Sequence, residues 1–189
     1  TVHRLDKPVG GLTVLARDPE AAGDLIEQFR THAVEKDYYA VLRGIPAQSS
    51  GDLVDLLFHD SSRNKTYVVQ RPRKGVRKAS LTYRTLATVK EGETDLTLVR
   101  IRLHTGRTHQ IRAQFSARGL PLLGDVRYGG GSICDPALWS CFLRFRDPAS
   151  GRTMTFSQRP PEKFPWDWFP RDAYQPYTPF QNGREEVTP

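Results

Sequence analysis

An acid flanked by cations stands at the front of the chain, in Thr1-Val2-His3-Arg4-Leu5-Asp6-Lys7-Pro8-Val9-Gly10-Gly11. Pro8 fixes its own φ and pushes Lys7 away from helix, and the paired glycines permit a tight turn. Asp6 is thereby expected on an irregular, constrained corner. A carboxylate held there can serve as a nucleophile or a general base. The competing reading is a turn aspartate whose oxygens cap local N–H groups.

Three more stretches could carry chemistry. Thr105-Gly106-Arg107-Thr108-His109-Gln110-Ile111-Arg112 is a glycine turn running into a helix start. Free N–H groups and the positive end of the helix dipole suit a phosphate there. Arg107 and Arg112 are five apart and fall on different helical faces, while Ile111 and Phe115 belong to the core face. The plainer alternative is a capped helix with two solvated arginines. In Glu35-Lys36-Asp37-Tyr38-Tyr39-Ala40 the adjacent tyrosines of a strand must point to opposite faces, one to the core and one to a cleft or solvent. The last, Gly124-Asp125-Val126-Arg127-Tyr128-Gly129, reads by itself as a turn-rich loop. His3, His32, His59, His104 and His109 show no paired metal spacing, so a metal site is not expected. Neither of the glycine-rich nucleotide loops is present.

The elements that must position these residues can be read along the chain. Leu12–Ala16 alternates as a mostly buried strand, within residues 11–17. Asp18-Pro19-Glu20 opens a helix, with Asp18 as N-cap and Pro19 at the first helical position. Its apolar face, Ala22, Leu25, Ile26, Phe29 and Ala33, runs to about residue 33. A strand over 37–43 stops at Gly44, and 45–52 is a loop. Residues 53–69 read as irregular with short strands.

Next, Arg71–Lys78 holds five cations in eight residues, then strands at 80–89 and 94–103 form a hairpin. Arg100 and Arg102 alternate with Val99, Ile101 and Leu103, which predicts one basic and one apolar face. A helix over 108–118 closes at Gly119; 120–131 is a loop and 137–145 a strand. From Pro160 the composition turns to proline and aromatics: Phe164, Trp166, Trp168, Phe169, Tyr174, Tyr177 and Phe180. That tail is expected to be extended, packing its first aromatics on the domain and fraying at the end. Strands, two helices and several hairpins indicate an α+β fold.

The 189 residues suffice for one domain with a substantial core. Lys and Arg total 28 against 21 acids, a formal charge of +7, which favours a polyanionic partner and nucleic acid above all. No stretch approaches a membrane-spanning length. Cys134 and Cys141 are too far apart for a CxxC pair and are read as reduced thiols in a cytoplasmic protein. The first residue is not Met and the Asp6 turn begins almost at once, so the chain reads as a fragment or processed form of something longer.

Taken in order, these stretches resemble the RluA family of RNA pseudouridine synthases. The matching residues are His3-Arg4-Leu5-Asp6-Lys7-Pro8 with Gly11-Leu12, then Lys36, Tyr38 and Ala40 ending at Gly44. Thr105–Arg112 follows, then Pro121-Leu122-Leu123-Gly124-Asp125 with Tyr128-Gly129. The resemblance runs from residue 1 to about 165. It implies a pseudouridine synthase fold, a mostly antiparallel mixed sheet flanked by a few helices, with an active-site cleft across the sheet.

It also implies isomerisation of a chosen uridine in rRNA or tRNA, without cofactor or metal, by a monomer. By position, Asp6 matches the catalytic aspartate, Arg112 the arginine that pairs with it, and Tyr38 the active-site tyrosine that contacts the base. Arg4 matches the arginine that enters the RNA stack as the base leaves, and Leu143 an apolar residue of the base pocket, with Ile111 beside it. Arg107 and His109 are expected to contact RNA, and Arg73, Lys74, Arg77 and Lys78 to form a phosphate-contacting loop beside the cleft.

Two departures stand out. Relatives usually carry Leu-His-Ala where this chain has Leu138-Trp139-Ser140. They also carry some tens of residues before the Asp6 turn, and often an RNA-binding domain. Residues 1–165 are thus expected to form the catalytic domain, N-terminally incomplete, with 166–189 as tail. A non-catalytic RNA-binding module in rRNA assembly is the second hypothesis; the joint presence of Asp6, Tyr38 and Arg112 argues against it. A nuclease or glycosidase would want paired carboxylates or metal ligands, and Asp37 and Asp125 show no evident pairing to Asp6 in sequence.

Overall fold

The structure, a computed structural model, describes residues 2–174. In chain order its elements are Gly10–Gly11 (β1), Pro19–Arg30 (α1), Glu35–Arg43 (β2), Ser50–Asp60 (β3), Lys65–Val69 (β4), Val76–Glu91 (β5), Thr94–Leu103 (β6), Gln110–Ser116 (α2), Leu138–Arg146 (β7) and Thr153–Ser157 (β8). The sheet runs β1-β7-β2-β6-β5-β3-β4, with β8 also paired to β7. Every pairing is antiparallel except β1 with β7.

Alternation along β2 divides the protein into two layers of core. Tyr38, Ala40 and Leu42 join Val99, Ile101, Leu81 and Leu138 on one face, where Ile111 and Phe115 of α2 close the layer. Tyr39 and Val41 join Leu96, Leu98 and Phe142 on the other, under Trp166, Phe169 and Tyr174. Burying each of these large side chains contributes roughly 1.5–3 kcal/mol. The expected domain edge at 165 therefore falls inside one aromatic cluster, with Tyr174 edge-on to Tyr39 at 5.2 Å. Tyr177 and Phe180 lie outside the described residues.

Local signals place both helices. Asp18 accepts the Ala21 N–H at 2.8 Å, and Pro19 opens α1. Buried Gln28 then docks α1 by exchanging two hydrogen bonds with the Arg146 backbone. Gly119, at φ 72°, ends the turn after α2, and the Leu120 N–H returns to the Phe115 carbonyl.

Four expectations need correction. Residues 12–16 are not a strand: β1 is two residues long and leaves the sheet after the Leu12 N–H bonds to the Ser140 carbonyl. From Phe142 onward β8 occupies that edge of β7, so the extended segment finds no partner. Residues 53–69 are not irregular: β3 starts at Ser50 and pairs with β4 on one side and β5 on the other. β5 begins at Val76, so the last three residues of the basic run are strand. Arg100 and Arg102 form no free basic face. Both grip Asp37, which is fully buried, and Arg102 also donates to Glu35 at 3.0 Å.

Candidate active site

The Asp6 corner is held from both sides. Its carbonyl accepts the Val9 N–H at 2.8 Å, closing a turn over Lys7 and Pro8. Gly10 and Gly11 then pass against β7 so closely that side chains would collide. A Cβ on Gly10 would stand 2.3 Å from the Trp139 ring, and one on Gly11, at φ 108°, 2.2 Å from the Ser140 carbonyl oxygen. Trp139 thus packs behind the turn, within the second core layer, and its Nε1 donates to the Gln158 carbonyl. Of the two departures from Leu-His-Ala, Trp139 falls on the face away from the cleft, while Ser140 is fully buried opposite Tyr38.

The Asp6 side chain does not cap its own turn. Arg112 Nη1 donates to Asp6 Oδ2 at 3.1 Å, across 106 residues of sequence. The other edge of the guanidinium forks onto Asp125, with Nε to Oδ2 at 2.7 Å and Nη2 to Oδ1 at 2.8 Å. Asp125 is fully buried and Arg112 nearly so, while Asp6 keeps 26% of its side chain exposed to the cleft. A bidentate pair fixes the plane as well as the position of the arginine, so its remaining donor points to one place. The Tyr128 ring lies 5.0 Å beneath the guanidinium.

Asp125 reaches this position because its loop folds on itself. The Gly124 N–H bonds to the Gly130 carbonyl, and the Asp125 carbonyl accepts from both Tyr128 and Gly130. A Cβ on Gly130 would stand 1.7 Å from the Leu122 carbonyl oxygen, so only glycine fits. In sequence Asp125 reads as part of a plain loop; its partnership with Arg112 is made only in space. The signal that could have found it is its place in the Gly-Asp-x-x-Tyr-Gly stretch.

His109 faces Asp6 from another side, its Nε2 3.8 Å from Oδ2. It stands at φ 52°, a left-handed backbone that costs a non-glycine residue roughly 1–3 kcal/mol. The Tyr128 hydroxyl accepts the Thr66 N–H at 2.7 Å and lies 3.1 Å from His109 Nδ1. With that hydroxyl donating to Nδ1, the neutral imidazole carries its proton on Nε2, toward Asp6. Burial holds the His109 pKa below its ordinary value, which favours the neutral ring.

These groups line one cleft of about 620 Å³ on the α2 face of the sheet. Arg4, Asp6, Tyr38, Arg107, His109, Ile111 and Arg112 all line it. Leu143 does not: it is buried in β7 opposite Lys36, and Leu138 reaches the cleft in its place. Arg73, Lys74, Arg77 and Lys78 are exposed but stand outside the cleft, at the β3–β5 end of the sheet. Arg107 links the two regions, its Nε donating to the Lys78 carbonyl at 3.2 Å. The Arg107 N–H, expected to be free for a phosphate, is taken by the Gln110 side chain at 3.0 Å.

Burial pushes the Tyr38 phenol far above its ordinary range, with the Asp6 charge adding to the effect. Opposite it the ladder between β2 and β7 slips by one residue, pairing Asp37 with Phe142 but Tyr38 with Ser140. Such a bulge re-aims side chains beside it. Residues missed in sequence complete the wall. His3 stacks on Phe29 at 4.5 Å and accepts the Val14 N–H at 3.1 Å. Burial first, then Lys36, lowers the His3 pKa to about 4. Among the described residues no group of three His, Cys, Asp or Glu is placed to hold a metal ion, and both cysteines are free.

An α+β sheet thus carries an Asp–Arg–Asp bridge that opens on a cleft lined by Arg4, Lys36 and Arg107. The human structure titled RNA Pseudouridylate Synthase Domain Containing 1 shares the fold, with a TM-score of 0.74 at 24% identity over 85% of this chain and 68% of that one. Human RNA Pseudouridylate Synthase Domain Containing 4 gives 0.68, also at 24% identity, over 85% and 70%.

The family described as RNA pseudouridylate synthase matches residues 1–117, and the chain belongs to that family. RNA pseudouridine synthase 2, chloroplastic, of Oryza sativa subsp. japonica is 34% identical over 86% of this chain and 42% of its own length. Ribosomal large subunit pseudouridine synthase D of Pseudomonas aeruginosa is 34% identical over 87% of this chain and 54% of its own. The chain thus spans about half the length of these curated relatives.

Proposed function

We propose that the chain isomerises uridine to pseudouridine in RNA, with Asp6 as the group that reacts with the nucleotide. The observation that carries the reading is the Arg112 bridge, which holds a cleft-facing carboxylate in register from a fully buried Asp125. The names of the relatives support it, and one named for the large ribosomal subunit favours rRNA.

The reaction breaks the bond from ribose C1′ to N1, turns the uracil and joins C1′ to C5. C5 loses its proton and N1 gains one, so the balance needs no redox partner. Asp6 acts as nucleophile or base at this centre. The neutral Tyr38 phenol suits stacking against the uracil. Arg112 Nη1–H orients the carboxylate, and His109 Nε2 faces the same oxygen from 3.8 Å. A paired base must be flipped out at a cost of about a few kcal/mol, which phosphate contacts offset. Arg4 at the cleft mouth and the exposed Arg73, Lys74, Arg77 and Lys78 supply such contacts in this reading. It places a monomer in the cytoplasm. Among the described residues, no helix is long and apolar enough to cross a membrane.

The test is incubation with an unmodified large-subunit rRNA transcript, then carbodiimide labelling and primer extension. New adduct stops at discrete uridines are expected. RNA bound tightly with no adduct formed would transfer the chain to the binding-module reading.

A further inference from the structure

One wall of the cleft holds a cation that has no counterion among the described residues. Lys36 is only 9% exposed, and it lines the same cleft as Asp6. Its ammonium stands 5.3 Å from the Phe29 ring centre. On the other side is Gly106, where an added Cβ would come within 3.2 Å of Nζ. Among the described residues no carboxylate pairs with it: Glu35, next in sequence, lies on the opposite face with Arg102 and Arg144, and Asp37 with Arg100 and Arg102. Burial accordingly lowers the Lys36 pKa, with no opposing acid.

Buried cations are ordinarily paired, because an unpaired one forfeits hydration without return. The neighbours here do not relieve the deficit. His32, held left-handed at φ 60°, is pushed below its ordinary pKa by burial, then by the charges of Lys36 and Arg107. His3, stacked on Phe29, is lowered by burial and by Lys36. Lys36 and Arg107 line the same cleft as positive charges, and an anionic oxygen ligand is what would relieve them. Lys36 is two residues before Tyr38 on one strand face, about 7 Å along β2. An anion bound there would sit beside, not upon, a base resting at Tyr38 and Asp6.

We propose that Lys36, with Arg107 and His32 at the rim, is the seat of one RNA phosphodiester, which fixes the nucleotide's backbone while its base lies at Asp6. The proposal rests on the RNA-modifying reading and adds a ligand-holding residue to it. Gly106 is part of the seat, since any side chain there would press on the ammonium. The glycine turn thus serves the phosphate through Lys36, while the backbone N–H of Arg107 is already bonded to Gln110.

The test uses oligouridylate as the probe, its affinity measured against NaCl concentration for the parent, Lys36→Met and Lys36→Arg. Without this charge-assisted interaction, binding should weaken roughly 10-fold at low salt. The slope of log affinity on log salt should become shallower by about 0.7 for Lys36→Met. Lys36→Arg should keep the slope. Lys36→Met should melt no lower than the parent, because the buried charge is gone. Oligouridylate carrying one methylphosphonate at each linkage in turn supplies a second readout. The parent should lose affinity at one linkage that Lys36→Met no longer senses. Equal affinity and equal slope in parent and Lys36→Met would overturn the seat, even with Asp6-dependent isomerisation intact. A Lys36-dependent slope in a chain that forms no pseudouridine would uphold the seat and sink only the isomerase.

Discussion

Removing Asp125 tests whether the active carboxylate is positioned from behind. The Asp125→Ala variant deletes both acceptors of the Arg112 fork, at 2.7 and 2.8 Å, and leaves a guanidinium that is 6% exposed. Only Asp6, at 3.1 Å and partly in solvent, would remain to neutralise it. Breaking a buried pair by taking away one partner costs about 3–5 kcal/mol. For a domain of this size that corresponds to a fall in melting temperature of roughly 10 °C. Turnover, measured well below the new midpoint, should drop further than RNA binding, because Asp6 loses its fixed partner. The double variant Asp125→Ala/Arg112→Met separates the two effects. Removing both charges should restore most of the stability, since an apolar pair of similar volume is often neutral, yet activity should stay lost. Differential scanning fluorimetry with single-turnover tritium release reads both quantities. A single variant that melts within about 2 °C of the parent, which is under 1 kcal/mol for such a domain, would rule out Asp125 as the anchor.

Further expectations concern the residues around this bridge. His3 has a folded pKa of about 4 against an ordinary 6.5, so the unfolded chain binds the extra proton. Its stabilising effect is complete above about pH 6.5 and is lost as pH falls toward 4; melting curves of His3→Phe should show a weaker pH dependence than the parent across that window, and an unchanged dependence would defeat the assignment. Tyr128→Phe removes the hydroxyl shared by Thr66 and His109, which should cost about 1–2 kcal/mol and slow turnover with RNA affinity unchanged; equal turnover would show that the His109 tautomer is set elsewhere. Reversing the charges of Arg73, Lys74, Arg77 and Lys78 should weaken RNA binding and flatten its salt dependence, by about 0.7–0.9 in slope for each phosphate no longer neutralised. Unchanged binding would remove this surface from the interface.

What could be read in the sequence followed the range of the interaction. The Asp18-Pro19 cap, the Gly119 stop and the Tyr38/Tyr39 split are local, set by residues a few positions apart, and the structure holds each of them. The strand expected at 12–16 has the right alternation but no edge to join, because β8 has taken it. β3 is hidden for the opposite reason. Its polar positions spoil the pattern, yet Asp55 is satisfied by Gln114 and Arg118, which approach from α2 and the turn beyond it. Arg100 and Arg102 look like a basic face because Asp37, the acid that absorbs them, sits on a different strand. The candidate site is legible as separate motifs, Asp6 in one and Arg112 in another. Asp125 as the anchor of the bridge, and Lys36 as a buried cation, need the sheet to be closed.

The isomerase reading depends on Asp6 reacting with uridine, and Asp6→Asn isolates that step. The amide has the carboxylate's shape and can still accept from Arg112 Nη1, so the fold and the cleft should persist. With large-subunit rRNA labelled with tritium at uridine C5, the parent should release tritium, and the variant none above the blank while binding the RNA as tightly. Release from the Asn variant at a rate equal to the parent's would mean that Asp6 is not the reacting group.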